Sequence, residues 1–216
     1  DDGTLALGGK LHLGFADAYM RDNLTDRGRE PSEGETLSCS PDICHYRQPL
    51  NDPQAALGSP GARDSDSMFD PIETGQSNYL YLRFRNRGYS ATPITADVYW
   101  TPASTLPTPA SWTKIGHIDA PTVGIDEFVI SDALEWPANE IPSEGHFCFV
   151  AVCGNPQDPM PDRAAIHSVD DYYAFIRNNN NVVWKNFDVY DLFAGSYGSL
   201  QFHIQGWPRQ TLLSDL

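Results

Sequence analysis

Positive charge is scarce in this sequence, which has 14 lysine and arginine residues against 29 aspartate and glutamate residues and a formal net charge of −15 at pH 7. Such a field repels phosphate backbones and anionic lipid head groups. Long apolar runs are also absent, since no stretch approaches the roughly 18 residues that a membrane-spanning helix needs. We therefore expect neither nucleic-acid binding nor membrane insertion. The first four residues also lack the basic and apolar regions of an intact signal peptide.

Signatures of catalysis are missing as well. The chain has no Gly-x-Ser-x-Gly elbow, no His-Glu-x-x-His zinc motif and no complete phosphate-binding loop. Its six histidines are scattered, mostly inside strand-like runs, where a lone histidine is more often a half-buried sheet residue than a base. A secreted hydrolase built from scattered acids and histidines is therefore the least favoured of three functional hypotheses.

Short alternating runs bounded by turn residues are the main feature that is present. They predict strands at residues 4–15, 42–46, 78–87, 95–100, 112–118, 127–130, 145–153, 182–190 and 200–204. One helical turn is expected at 170–176. The sequence thus predicts an all-β fold, an immunoglobulin-like antiparallel β-sandwich of about seven to nine strands with long N-terminal loops.

The chain is expected to divide into three parts. Residues 1–76 form an N-terminal strand and a loop-rich extension, residues 77–206 form the sandwich core, and residues 207–216 form a C-terminal connection. Because Cys39, Cys44, Phe69 and Ile72 suit a solvated linker poorly, we expect the extension to pack on the sandwich.

The cysteines occur in two close pairs, Cys39 with Cys44 and Cys148 with Cys153. An even number favours disulfides in an oxidising compartment, with three connectivities open. Free buried thiols are the second interpretation and a tetrathiolate zinc site is the third.

Calcium is the cofactor that suits the acidic loops best, because hard cations prefer carboxylate and carbonyl oxygens on flexible segments. The candidate ligands are Asp22, Asp26, Asp64, Asp66 and Asp70. The alternative is an ordinary solvated acidic surface.

Aromatic residues near the predicted loops suggest a carbohydrate site, since exposed aromatic rings stack on sugar faces. The candidates are Trp112, Trp136, Tyr172, Tyr173 and Trp207. Core or interface packing is the alternative at each of them.

Two segments carry a family resemblance: the strand NYLYLRFRNRG at 78–88 with DVYW at 97–100, and the asparagine-rich segment RNNNNVVWKNFDV at 177–189. Over residues 77–190 the pairing resembles the CARDB-like, immunoglobulin-related adhesion domains of bacterial secreted proteins. The resemblance implies an adhesive or spacing role and supplies no catalytic residues. We therefore expect a non-catalytic adhesion, interaction or spacer module of a larger secreted or cell-surface protein, with a protein partner. A carbohydrate-binding module, with or without calcium, is the alternative.

Overall fold

A computed structural model describes residues 15–34 and 36–192, and within them two sheets pack face to face. The first sheet contains β1 (Ala18–Tyr19), β2 (Ile43–Tyr46), β4 (Asn78–Asn86), β7 (Phe128–Ile130) and β8 (Leu134–Trp136). Strand β4 is its centre, because Leu80 is paired with both β2 and β8, and Arg85 with both β1 and β7. All of these pairings are antiparallel.

The second sheet is wider and more regular. Its order is β3 (Ile72–Glu73), β10 (Val182–Tyr190), β9 (Gly145–Gly154), β5 (Thr92–Pro102) and β6 (Thr113–Val123). The short β3 is parallel to β10, and the other pairings are antiparallel.

The main core lies between the sheets. Trp136 is fully buried there, and the rings of Phe149 and Phe187 stack with their centroids 3.7 Å apart. Inward-facing aliphatic side chains from both sheets, such as Leu82 and Val98, fill the remainder. Burial of these apolar surfaces is the principal stabilising term of the fold.

Helices cover the outer faces of both sheets. On the first sheet, Leu57 of α1 (Pro53–Gly58) packs in a cluster with Tyr81, and α2 (Pro60–Arg63) follows. On the second sheet, Tyr172 of α3 (Val169–Arg177) packs beside Trp184. Asp52 caps α1 and Ser168 caps α3 through side-chain bonds to backbone N–H groups. Two short 3₁₀ turns lie at Ala103–Thr105 and Pro109–Ser111.

A buried ionic cluster joins the N-terminal segment to the central strand. The Asp42 carboxylate accepts hydrogen bonds from Arg21 at 2.6 Å and from Arg83 at 3.1 Å, and all three side chains are at most 1% exposed. Arg21 also donates to the backbone oxygen of Arg63, and Arg83 to that of Ala62. The cluster therefore fixes α2 to the sheet.

The predicted all-β antiparallel sandwich is confirmed, with ten strands in the part of the chain that the structure describes. Residues of the N-terminal segment contribute β1, β2 and β3 to the sheets, and the boundary at residue 76 stays a prediction. The predicted strand at 200–204 and most of the one at 4–15 lie outside the described residues. No helix among the described residues is long and apolar enough to cross a membrane.

Candidate functional site

A cleft of about 610 Å³ lies where β1, the 29–33 loop, the end of β4 and the turn before β10 meet. This volume falls within the range of roughly 300–1,000 Å³ that small-ligand sites occupy. The cleft is lined by acidic, amide, basic and aromatic side chains, of which the most informative are Asp17, Glu30, Arg87, Tyr89, Asp158 and Asn180.

The turn that follows α3 positions the carboxylates of the cleft. The backbone N–H of Asn180 donates to Glu30 Oε1 at 2.9 Å, and its side-chain amide donates to Asp17 Oδ1 at 2.8 Å. The Asn181 side chain donates to Asp158 Oδ2 at 2.8 Å. Two consecutive asparagines therefore hold three carboxylates from three separate chain segments.

Partial burial makes two of these carboxylates, Asp17 and Asp158, more basic than usual. Burial is the largest cause that raises the pKa of Asp17, and hydrogen bonding from Asn180 and the charge of Arg87 oppose it. Burial likewise raises the pKa of Asp158, against the hydrogen bond from Asn181. The negative charge of Glu30 raises both pKa values further. A positive charge that entered the cleft would relieve this repulsion.

The basic side chains of the cleft are already paired. Arg87 Nε lies 3.4 Å from Asp17 Oδ2, and Arg29 lies 3.6 Å from Glu33 on the surface. Four carboxylates and two guanidinium groups line the cleft, which leaves an excess of two negative charges. Its electrostatic preference is therefore for a cation.

An aromatic residue stands at the side of the cleft. Tyr89 follows β4 and is 67% exposed, an unusual position for a large apolar ring. The lining contains no serine, cysteine or histidine within the described residues. The described lining therefore offers carboxylate, amide, guanidinium and phenol groups to a ligand.

The five predicted calcium ligands do not come together. Asp22 and Asp26 are buried neighbours, whereas Asp64 and Asp66 are exposed in the segment after α2. Asp70 accepts a hydrogen bond from the backbone N–H of Arg47. Across residues 15–34 and 36–192, no group of three or more histidine, cysteine, aspartate or glutamate side chains could hold a metal ion.

Among these five aspartates, Asp22 has a carboxyl group that is buried and strongly shifted in pKa. Its Oδ1 atom is buried without a hydrogen-bond partner within the described part of the chain, and its backbone N–H donates to Asp26 Oδ2 at 3.0 Å. Burial, reinforced by the negative charge of Asp26, raises its pKa to about 8. Asp22 is therefore mostly protonated at neutral pH and is a poor ligand for a cation in that state.

Three of the predicted sugar-stacking aromatics are core residues, and that prediction is wrong for them. Trp136 lies between the sheets, while Trp112 and Tyr172 pack edge to face in the cluster under α3. Because their faces are covered by other side chains, they offer no surface to a sugar. Tyr173 is 46% exposed, and Trp207 lies outside the described residues.

The predicted disulfides are absent, because all four cysteines are free thiols. Cys148 and Cys153 are five residues apart on β9, so their side chains point to opposite faces of the sheet and join different clusters. Cys44 lies in a third cluster under α1, and Cys39 is exposed. The second interpretation of the sequence, free buried thiols, describes Cys44, Cys148 and Cys153 but not the exposed Cys39.

Sequence reasoning missed the carboxylates of the cleft, Asp17, Glu30 and Asp158. The asparagine run before β10 was the only sequence feature that pointed to this region, and a tight turn was a sufficient explanation for it. No local pattern indicates that residues 17, 30 and 158 meet, because each lies in a loop without periodicity and their contacts are long-range.

No protein-family model matches the chain, and no curated protein matches it. Among solved structures, the CARDB domain of a Pyrococcus furiosus protein in complex with di-metal ions is 11% identical with a TM-score of 0.36, covering 84% of this chain and 95% of that one. AsqI with zinc is 10% identical with a TM-score of 0.44, covering 84% and 40%. A hemolymph-type prophenoloxidase from a crustacean is 12% identical with a TM-score of 0.38, covering 58% and 28%. At these scores the resemblance to CARDB-like domains stays a prediction, and the β-sandwich assignment rests on the strand pairings of the chain itself.

Proposed function

We propose that the chain is a non-catalytic interaction module of a larger secreted or cell-surface protein, and that its cleft receives a positively charged group of a protein partner. The observation that carries this proposal is the set of three carboxylates fixed by Asn180 and Asn181. Asp17 and Asp158 are partly desolvated and have raised pKa values. Arg87 already pairs with Asp17, but the cleft keeps an excess of negative charge, which a further cation would complement.

An organic cation suits the cleft better than a bare metal ion. The carboxylates are each tied to a different amide, and the described residues include no metal-sized group of three acidic ligands. An ammonium or guanidinium group donates several hydrogen bonds and tolerates acceptors that are spread more widely. Tyr89 beside the cleft offers a ring face for a cation–π contact. A lysine or arginine side chain of a partner has the required chemistry.

The test is a titration of the isotopically labelled protein with a pentalysine peptide, followed by backbone amide NMR. We expect signals of residues 87–89 and 180–181 to shift in a saturable manner, and lysine-acetylated pentalysine to produce no shift. Glu30→Gln should weaken binding by about tenfold, the factor that corresponds to roughly 1.4 kcal/mol.

Glu140→Gln is the matched control, since it removes one negative charge from an exposed residue away from the cleft. It should change the dissociation constant by less than about twofold, because exposed charges are screened at physiological salt. Equal weakening by both variants would show that the peptide responds only to overall charge. Unchanged signals at the cleft would contradict the proposal directly.

A carbohydrate ligand is the second candidate, favoured by the exposed Tyr89 ring next to carboxylate and amide groups. A glycan-array screen with wild-type protein and Tyr89→Ala, each with calcium and with a chelator, separates the two. Sugar binding that disappears with Tyr89→Ala would replace the protein-partner proposal.

A further inference from the structure

Lys185 is a nearly buried amine in the wall of the main core. It lies on β10 between Val183 and Phe187, which pack between the sheets, and it is 6% exposed. Its Nζ donates to the backbone oxygen of Ile43 at 2.8 Å. Burial lowers its pKa, so the fraction of reactive, unprotonated amine at neutral pH is larger than in an ordinary lysine.

His45 of β2 lies against the same Phe69 ring as Lys185. Packing alone does not explain why an imidazole occupies this buried position. His45 is 2% exposed, and within the described residues neither ring nitrogen has a well-formed hydrogen bond, although the Asp70 backbone lies close enough to act on the ring. Leaving two buried polar atoms unpaired opposes folding. Burial and the charge of Lys185 lower the pKa of His45 to about 3, so the ring is neutral at physiological pH.

Phe69 covers both groups. Its ring centroid lies 5.1 Å from that of His45 and 4.5 Å from Lys185 Nζ, yet Phe69 itself is 43% exposed. Its segment is attached by a β-bridge to His45 and by the Asp70 N–H, which donates to the His45 backbone oxygen at 2.8 Å. One side chain in an irregular segment thus lies over a basic amine and a neutral imidazole.

We propose that Lys185 is a carbonyl-reactive amine beneath a movable Phe69 cover, and that it condenses with small aldehydes. The nitrogen lone pair forms the C–N bond while the carbonyl π electrons move to oxygen. Loss of that oxygen with the two amine hydrogens releases one water and leaves an imine. Water that enters when Phe69 moves aside carries one of these protons from nitrogen to the departing hydroxyl, while the neutral His45 ring places no second positive charge beside the amine.

The chain offers a clean assay because it contains only three lysines, Lys10, Lys114 and Lys185. At pH 7 acetaldehyde forms an imine with each reactive lysine, and cyanoborohydride reduces that imine to an N-ethyl amine. Peptide mass spectrometry locates and quantifies the ethylated lysines over time. Lys114 is the internal reference, because its side chain is 46% exposed and paired with Asp97.

We expect Phe69→Ala to raise the ethylation rate of Lys185 on the order of tenfold, which corresponds to roughly 1.4 kcal/mol of packing at the cover. In that variant Lys185 should react faster than Lys114. Ile125→Ala removes an exposed apolar side chain away from this site and should leave the Lys185 rate unchanged.

Phe69→Leu provides a milder opening and should give an intermediate rate if the alanine variant fails to fold. The proposal is overturned if Lys185 reacts more slowly than Lys114 in all of these proteins. It is also overturned if Ile125→Ala accelerates Lys185 as much as Phe69→Ala does, since general loosening would then explain the reaction.

Discussion

Replacing Asp42 with asparagine should destabilise the protein more than any comparable change at its surface. The substitution keeps the size of the side chain but removes the charge that two buried guanidinium groups share. Arg21 and Arg83 would then be buried without a counter-ion, close to the Phe128 ring that Arg63 and Arg85 also approach.

The magnitude follows from the burial of the cluster. Removing one partner from a buried ion pair typically costs about 3–5 kcal/mol, because the other charge remains desolvated. For a domain of this size each kcal/mol lowers the melting temperature by roughly 2–4 °C, so we expect a decrease on the order of 6–20 °C. Asp42 also accepts the Arg21 backbone N–H at 2.7 Å, and the amide of asparagine can retain that bond only through its oxygen.

Urea unfolding, with circular dichroism and tryptophan fluorescence as parallel probes, measures the free energy of unfolding. Asp188→Asn is the control, since Asp188 pairs with His146 at 2.8 Å while both side chains are half exposed. Exposed pairs contribute about 0–1 kcal/mol, so this variant should unfold close to wild type. An Asp42→Asn protein within about 1 kcal/mol of wild type would refute the reasoning.

Two further predictions concern titration and thiol chemistry. The pKa of Asp22 is 3.8 when unperturbed and about 8 in the folded protein. Between these values the folded state binds one more proton than the unfolded state. The free energy of unfolding should therefore fall as the pH rises from about 4 to about 8. Asp22→Asn should flatten that decline in thermal unfolding measured across the range; an unchanged slope would contradict the assignment. Iodoacetamide should modify Cys39 alone in the native protein, because the other three thiols are buried and burial raises their pKa values, in the case of Cys148 to about 11. Mass spectrometry counts the adducts, and rapid native labelling of Cys44 or Cys153 would count against the described packing.

The strands were predictable from the sequence in two situations: where polar and apolar residues alternate, because the two faces of the strand differ in polarity, and where apolar residues follow one another without interruption. The run at 145–153 matches β9, and the alternation at 78–87 matches β4. Both sheets are covered on their outer faces, so β9 is buried at seven successive positions, 148–154, where it contains only apolar residues and glycine. The helical turn expected at 170–176 is part of α3.

Other elements carried no usable signal. Residues 47–76 are rich in proline, glycine and aspartate and suggested only loop, yet α1 and α2 form there because Asp52 caps the first helix and prolines begin both. The cleft could not be predicted for a different reason. Its carboxylates are brought together by tertiary contacts of Asn180 and Asn181, and no local sequence pattern encodes such contacts.

The position of Asn180 and Asn181 just before β10 has a consequence for affinity. Because the turn is a continuation of a strand in the middle of a sheet, the carboxylates of the cleft are held in place before any ligand arrives. Binding then requires little additional ordering of the protein, and rigid recognition of this kind retains more of the interaction energy as affinity. Within the 29–33 loop, Glu30 and Ser32 are tied to the same region through Asn180 and Arg177, whereas the Arg29–Glu33 pair is exposed. Under the proposed function, changes of ligand preference between related chains should therefore accumulate at Arg29 and Glu33, while the asparagine turn stays constant as preorganised scaffold.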